Sequence, residues 1–173
     1  KVIVNKKGDS STGYSAIHNR GLLTLGEEAF IYANGSYDVG IDNREDGIIK
    51  EGKGTIEISN SYTSGLYNRS YLNNTISGLT IISTVNNNNY AIFNGALNDV
   101  TYNNITISGP ALGFNEASDC NVDITNSNIT STSSKAIELT RYGASPYIYN
   151  GYSNSTAVTN IVSTKEMNIT NSE

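Results

Sequence analysis

YAIFN, residues 90–94, is one copy of a five-residue motif that recurs along the chain. Four other copies also have a small residue, an aliphatic residue, a variable residue and then Asn: SAIHN (15–19), VGIDN (39–43), SGLYN (64–68) and TAVTN (156–160). Two looser versions are ALGFN (111–115) and KAIEL (135–139). The motif returns at intervals of 21 to 26 residues. Self-similarity at a period of roughly 20 to 50 residues predicts a solenoid.

Apolar pairs separated by one polar residue follow the motif in most repeats: LTL (23–25), IEI (56–58), LTI (79–81), ITI (105–107) and VDI (122–124). Alternation with period two predicts strands with one buried face, and a helical repeat would need more Ala, Leu, Glu and Lys. The sequence therefore predicts an all-β, parallel β-helix solenoid of about seven coils of 21–26 residues. We expect the central polar residues Glu57, Thr80, Thr106 and Asp123 at similar outward positions of different coils.

The Asn that closes the motif lies two positions after the aliphatic residue, so the two side chains share one face of a strand. If Ile92 points into the core, the Asn amide two residues later does so too, and a buried amide must be hydrogen-bonded. Equivalent amides in stacked coils lie above one another and can bond to each other. We therefore predict an internal ladder of structural asparagines: Asn19, Asn43, Asn68, Asn94, Asn115 and Asn160. Leu139 is expected to interrupt this ladder.

Composition excludes some classes of partner. Only 16% of the residues are charged and the net charge is −5, which argues against binding to nucleic acid. No apolar run approaches the roughly 18 residues of a membrane-spanning helix, so we expect no membrane insertion. The single cysteine, Cys120, falls on an inward position by period two. Patterned sequence reaches both ends, so residues 1–173 are interpreted as a single β-helix domain from a longer chain.

Two phrases, SAIHNRGLLTL (15–25) and NNITISG (103–109), carry a resemblance to known proteins. Over residues 13–170 the chain resembles right-handed parallel β-helix proteins, the pectin-lyase-like superfamily, and above all the repeat regions of large bacterial surface proteins and adhesins. The resemblance implies a right-handed solenoid in an extracellular or bacterial cell-surface protein. It implies little about activity, because this fold hosts many unrelated functions.

Candidate catalytic residues are few. The N-T-D, D-D, G-H-G and R-I-K strings of polygalacturonase-like hydrolases do not occur. The most acidic stretch, residues 37–47, surrounds Arg44 with four carboxylates: Asp38, Asp42, Glu45 and Asp46. Paired carboxylates can hydrolyse glycosides or contribute to a calcium site, but a solvated corner loop is the favoured interpretation. His18, the only histidine, is expected on the surface, and no catalytic residue, metal or cofactor is predicted.

Residues 141–155, RYGASPYIYNGYSNS, depart from the strand pattern and are predicted to form an inserted Tyr-rich loop. Its candidate binding residues are Tyr142, Tyr147, Tyr149 and Tyr152. Tyrosine offers a large contact area at low entropic cost, while Ser, Gly and Asn add adaptable hydrogen bonds. The alternative is that these rings pack against the solenoid flank. A second, weaker cluster consists of Tyr62, Tyr67 and Tyr71.

These features favour an extracellular adhesin-like module that binds a host or microbial surface glycan or protein, or that acts as a rigid stalk. The alternative is a carbohydrate-active module: a polysaccharide lyase or hydrolase, or a phage-tailspike-like domain. Its catalytic groups would come from residues 38–46 or from flanking segments. Release of reducing ends or unsaturated sugars separates an enzyme from a binding module.

Overall fold

The computed structural model describes residues 2–6, 15–34, 39–59, 63–86, 90–96, 98–110, 112–116, 121–132, 136–139, 167–170 and 172. Every helix or strand assigned within these residues is a strand, which confirms the prediction of an all-β fold. Short strands separated by tight corners are what Thr, Asn, Gly and β-branched residues favour at this spacing.

Three strand positions alternate along the chain, and each position builds its own face of the solenoid. The first-position strands are β2 (Ser15–Asn19), β5 (Val39–Asn43), β8 (Ser64–Asn68), β11 (Tyr90–Asn94), β14 (Leu112–Glu116) and β17 (Ile137–Leu139). The second-position strands are β3 (Leu22–Leu25), β6 (Ile48–Gly52), β9 (Asn74–Ser77), β12 (Val100–Asn103), β15 (Val122–Thr125) and β18 (Met167–Thr170). The third-position strands are β1 (Val2–Lys6), β4 (Ala29–Ala33), β7 (Thr55–Ile58), β10 (Thr80–Ser83), β13 (Thr106–Ser108) and β16 (Asn128–Ile129).

Equivalent strands of neighbouring coils pair in parallel. The first and third positions each form a six-stranded sheet, whereas the second position forms a two-stranded sheet, β3–β6, and a four-stranded sheet, β9–β12–β15–β18. A register shift inside the β3–β6 pair leaves Lys50 as an extra residue, which is a β-bulge. The chain is thus a parallel β-solenoid, as predicted. Within the described residues its largest sheets have six strands, so the expected seven coils were too many.

Aliphatic side chains form continuous rows inside the solenoid. Ile41, Leu66 and Ile92 are in register in the first sheet, and each is fully buried. Ile56 and Ile81 form an equivalent buried pair in the third sheet. The inward orientation predicted for Ile92 is therefore confirmed, and each coil buries its apolar face only by stacking on its neighbours.

The small residue before each aliphatic position is explained by close packing between coils. A Cβ atom added to Gly65 would lie 2.7 Å from the carbonyl oxygen of Ala91 and 2.9 Å from Cγ2 of Ile81. Real Cβ atoms do not approach other atoms so closely, so a larger side chain at this position would push the coils apart.

The corner between the second and third strands uses left-handed backbone in successive coils. Gly78, Asn104 and Asn126 have φ values of 80°, 52° and 51°. Gly and Asn are the residues that adopt this conformation most readily, which explains their recurrence at this corner.

The apolar pairs after the motif do not occupy one strand position. Glu57 lies on β7 and Thr80 on β10 of the third sheet, but Asp123 lies on β15 of the second. Even within the third sheet, Glu57 pairs with Ile82, and Thr80 pairs with Thr106. The expected single row of outward residues is therefore wrong, because an apolar–polar–apolar triplet defines a strand but not the face that it joins.

The fifth ladder position is also corrected by the register. Asn94 pairs with Glu116, whereas Asn115 pairs with Phe93. The strand segment that aligns with YAIFN is thus LGFNE (112–116). In the register of the sheet, Asn94 is followed by Glu116 in the next coil and by Leu139 in the coil after that. Asn115 was assigned to the ladder by its residue type, and the register moves that position along the strand by one residue. Asn160 lies outside the described residues.

Candidate functional site

Four asparagines form the predicted ladder. Nδ2 of Asn19 donates to Oδ1 of Asn43 at 2.7 Å, Asn43 donates to Asn68 at 2.9 Å, and Asn68 donates to Asn94 at 3.1 Å. The last three side chains are fully buried, and Asn19 is 8% exposed. Amides that are withdrawn from solvent and bonded to each other hold the scaffold and cannot contact a ligand.

Tyr102, from the second strand of its coil, completes the ladder inside the solenoid. Its hydroxyl accepts from Nδ2 of Asn68 at 3.1 Å and donates to Oδ1 of Asn94 at 2.7 Å. Its ring packs edge-on against Phe114, with ring centroids 5.0 Å apart. A buried tyrosine needs a partner for its hydroxyl, and the ladder supplies one.

Three of the four arginines in the chain directly follow a ladder asparagine: Arg20, Arg44 and Arg69. We call them the arginine row. The repeated Asn-Arg dipeptide is the sequence signal for this row, and it lies just outside the five-residue motif. The arginine row flanks Asp42, which is buried and only 5% exposed.

The charges of the arginine row are compensated by carboxylates. Asp42 Oδ2 lies 2.6 Å from Nε of Arg44, and its Oδ1 lies 2.6 Å from Nη2 of Arg69. Arg20 lies 3.1 Å from Glu45 Oε2. The expectation of a solvated loop is wrong for Asp42, because this residue lies on β5 between two guanidinium groups. This network stabilises a corner of the solenoid and does not provide a free catalytic carboxylate.

The other residues of the acidic stretch and the histidine differ from Asp42 in exposure. His18 is exposed, as expected, with Nδ1 3.6 Å from Asp42 Oδ2. Asp46 is exposed, and Asp38 lies outside the described residues.

Two contacts of aromatic rings lie near the arginine row. The rings of Tyr67 and Phe93 lie 5.2 Å apart, and the guanidinium of Arg69 lies 5.7 Å above the Tyr67 ring. Such contacts stabilise the outer surface of the first sheet. Tyr62 and Cys120 lie outside the described residues. So does the Tyr-rich loop with Tyr142, Tyr147, Tyr149 and Tyr152, and its binding role stays a prediction.

A polar groove of about 430 Å³ lies on the outside of the four-stranded sheet, where strands β9, β12 and β15 begin. Its lining comes from three consecutive coils: Asn73, Asn74 and Thr75; Asp99, Val100 and Thr101; Asn121 and Asp123. We call this cavity the polar groove. The triplets NNT, DVT and NVD are its sequence signal, but only the register shows that they are adjacent.

The lining residues form rows along the solenoid because the three strands are in register. Thr75, Thr101 and Asp123 are register partners on the outer face. Asn74 and Val100 are register partners on the alternate, inward face, and both are buried. The groove therefore has outward hydroxyl and carboxylate groups, with Asn74 and Val100 beneath them.

Asp99 is held in place at the edge of the groove. Its Oδ1 accepts from the backbone N–H of Asn121 at 3.0 Å, and its Oδ2 accepts from Nδ2 of Asn121 at 3.2 Å. Each carboxylate oxygen keeps further lone pairs, so Asp99 can still accept hydrogen bonds from a ligand in a fixed direction.

Asn74 differs from the ladder asparagines. It is only 6% exposed, yet neither Nδ2 nor Oδ1 forms a hydrogen bond within the described structure. An unsatisfied buried amide costs free energy, so such a residue calls for an explanation.

The chain matches no protein-family model, and no curated protein or solved structure is significantly similar to it. Among the described residues, no helix has the length and hydropathy needed to cross a bilayer. The same part of the chain contains no group of three or more His, Cys, Asp or Glu side chains placed to bind a metal.

Proposed function

We propose that the chain is an adhesin-like module of an extracellular, bacterial cell-surface protein, and that it binds a glycan on a host or neighbouring cell. The polar groove is the single observation that carries this proposal. Its carboxylate, amide and hydroxyl groups come from three coils, and they are the groups that hydrogen-bond to sugars.

The scaffold suits such a role because its outward groups are held at a regular spacing. Parallel strands stack about 4.8 Å apart, so equivalent side chains repeat along the solenoid axis. The Asn ladder and the apolar rows resist sliding between coils. A polymer can therefore lie along the stack and contact several coils without reorganising the protein.

One observation favours an enzyme as the second candidate. Asp99 and Asp123 both line the groove, and two carboxylates that flank a glycosidic bond can hydrolyse it. Asp99 is held at both oxygens by Asn121, which favours a positioning role. Incubation with polysaccharides and an assay for reducing ends and unsaturated sugars tests this candidate, and release that is abolished by Asp123→Asn would support it.

The test of the binding function is a glycan array together with binding to whole cells. The groove variant carries Thr101→Ala and Asp123→Ala, which are register partners on the outer face. The matched control carries Thr80→Ala and Thr106→Ala, which are register partners on the third sheet. We expect the groove variant to lose binding and the control to retain it.

A third variant, Tyr147→Ala/Tyr149→Ala/Tyr152→Ala, tests the predicted Tyr-rich loop as the contact surface. Loss of binding in this variant alone would move the site from the groove to that loop. If the parent bound no glycan and no cell, a rigid stalk would replace the adhesin-like module as the proposed function.

A further inference from the structure

We infer that the glycan bound at the polar groove carries acetamido groups, and that one of them occupies a second cavity on the same sheet. Asn103 is the residue that recognises the carbonyl oxygen of this group. The inference rests on the proposed binding function and adds the chemical class of the sugar.

The second cavity, of about 300 Å³, lies at the corner that follows the second-position strands. We call it the corner pocket, and residues of four consecutive coils line it: Glu27; Lys53; Ser77 and Gly78; Asn103 and Asn104. Asn103 lies two residues after Thr101 of the polar groove, so both side chains are on the outer face of β12. Strand residues rise about 3.3 Å each, so a sugar ring about 7 Å across can contact both cavities.

Asn103 presents a fixed hydrogen-bond donor to the corner pocket. Its Oδ1 accepts from Oγ1 of Thr125 at 3.0 Å and from Nδ2 of Asn126 at 3.1 Å, and both partners belong to the next coil. These bonds turn Nδ2 toward the preceding coil, where Ser77 is the register partner of Asn103. Nδ2 forms no hydrogen bond within the described structure, and the residue is partly exposed. A carbonyl oxygen of a ligand can therefore accept from Nδ2 without rearrangement of the protein.

The other lining residues favour a neutral acetamido group over an anion. A Cβ atom added to Gly78 would lie 3.2 Å from Cγ of Lys53, so the methylene stem of Lys53 lies over this glycine. The ammonium group lies 3.8 Å from Oε1 of Glu27, in the coil on the side away from Asn103. An anionic ligand would thus find the nearby cation already paired with a carboxylate. An acetamido group can accept from Asn103, donate its N–H to the hydroxyl of Ser77 and place its methyl group on the Lys53 stem.

Gly78 leaves the corner pocket open. The register places Asn104 at the same corner position in the next coil, and Asn126 follows in the coil after that. All three residues have left-handed backbone, so this conformation does not by itself require glycine. An asparagine in place of Gly78 would project a side chain into the space beside the Lys53 stem, where we place the methyl group.

The experiment measures affinity by isothermal titration calorimetry with three oligosaccharides of equal length. Chitin and cellulose oligosaccharides share one backbone and differ only in the acetamido group, and chitosan oligosaccharides carry an amine in its place. We expect the parent to bind the chitin oligosaccharide about tenfold or more tightly than the cellulose oligosaccharide, as one well-made hydrogen bond with its packing contact allows.

Two variants test the corner pocket, and one is a matched control. Asn103→Asp deletes the donor but keeps an oxygen for Thr125 and Asn126, and Gly78→Asn fills the cavity with a residue that tolerates its backbone. We expect each to lose about tenfold in affinity for the chitin oligosaccharide and to change little toward the cellulose oligosaccharide. Asn128→Asp is the control, because this exposed residue of the third sheet also accepts a threonine hydroxyl, at 2.9 Å, and gains the same charge. It should bind like the parent.

Several results would overturn the inference. Equal affinity of the parent for chitin and cellulose oligosaccharides, or tighter binding of chitosan, would exclude an acetamido site and leave the proposed function intact. Unchanged affinity of Asn103→Asp for the chitin oligosaccharide would remove Asn103 from the site, and unchanged affinity of Gly78→Asn would move the acetamido group out of the pocket. No binding to any glycan or cell would overturn the proposed function as well. Thermal unfolding checks that the variants fold, and if one of the two pocket variants does not, the other tests the same pocket.

Discussion

Asn68 and Asn74 are two buried asparagines that differ in hydrogen bonding, and their replacement by Ala measures what the ladder contributes. Asn68 is fully buried and Asn74 is 6% exposed. Asn68 accepts from Asn43 at 2.9 Å and donates to Asn94 and to Tyr102, both at 3.1 Å. Asn74 forms no side-chain hydrogen bond within the described residues. Because both changes delete the same atoms, the loss of packing is similar in the two variants.

The expected difference follows from the three hydrogen bonds of Asn68. Each contributes about 1 kcal/mol net, so Asn68→Ala should be less stable than Asn74→Ala by about 3 kcal/mol. For a chain of this size that corresponds to roughly 6 to 12 °C in Tm. The loss would extend along the solenoid, since Asn43 and Asn94 each lose a ladder partner.

Urea denaturation followed by circular dichroism gives the free energy of unfolding of both variants. Coils of a solenoid can unfold separately, so the two unfolding curves must have the same slope before their midpoints are compared. A difference below about 0.5 kcal/mol, which is the range of ordinary surface changes, would show that the ladder does not stabilise the fold.

Two further changes test the arginine row and the ladder corner. Asp42→Ala removes the carboxylate that Arg69 contacts at 2.6 Å, and we expect a loss of about 2 to 3 kcal/mol, less than for a fully buried pair. Urea denaturation at low salt and at about 0.5 M NaCl measures this loss, and its disappearance at high salt would mean that the pair is effectively a surface interaction. Gly47→Ala would place a Cβ atom against Oδ1 of Asn43 and should cost about 1 to 3 kcal/mol. Gly26→Ala meets no atom within 4 Å and should be neutral or slightly stabilising, so equal Tm values for the two glycine variants would contradict this explanation.

The parts of the fold that depend on local alternation could be predicted. Ile92 and Asn94 lie two residues apart, so one inward assignment determined the other, and both are buried. The same argument predicted the ladder from Asn19 to Asn94. It failed at Asn115, where residue type suggested an alignment that the register moves by one position.

The candidate site could not be predicted from spacing. Asp99 and Asp123 are separated in sequence by the three strands β12, β13 and β14, and neither belongs to the five-residue motif. Their proximity depends on which second-position strands stack on each other. The buried, ion-paired state of Asp42 was missed for the same reason, because Arg69 reaches it from the next coil.

By itself, the sequence determined that the chain is all-β, that it repeats, and that an aliphatic residue and an asparagine point inward together in the first four copies. These properties follow from the two-residue period of a strand, which acts over a few neighbouring residues. Only the tertiary structure decided the register between coils, the face that each strand joins, and thus the rows that form the polar groove. Coils differ in length, so the alignment of one strand with the next depends on packing and hydrogen bonding between residues more than 20 positions apart.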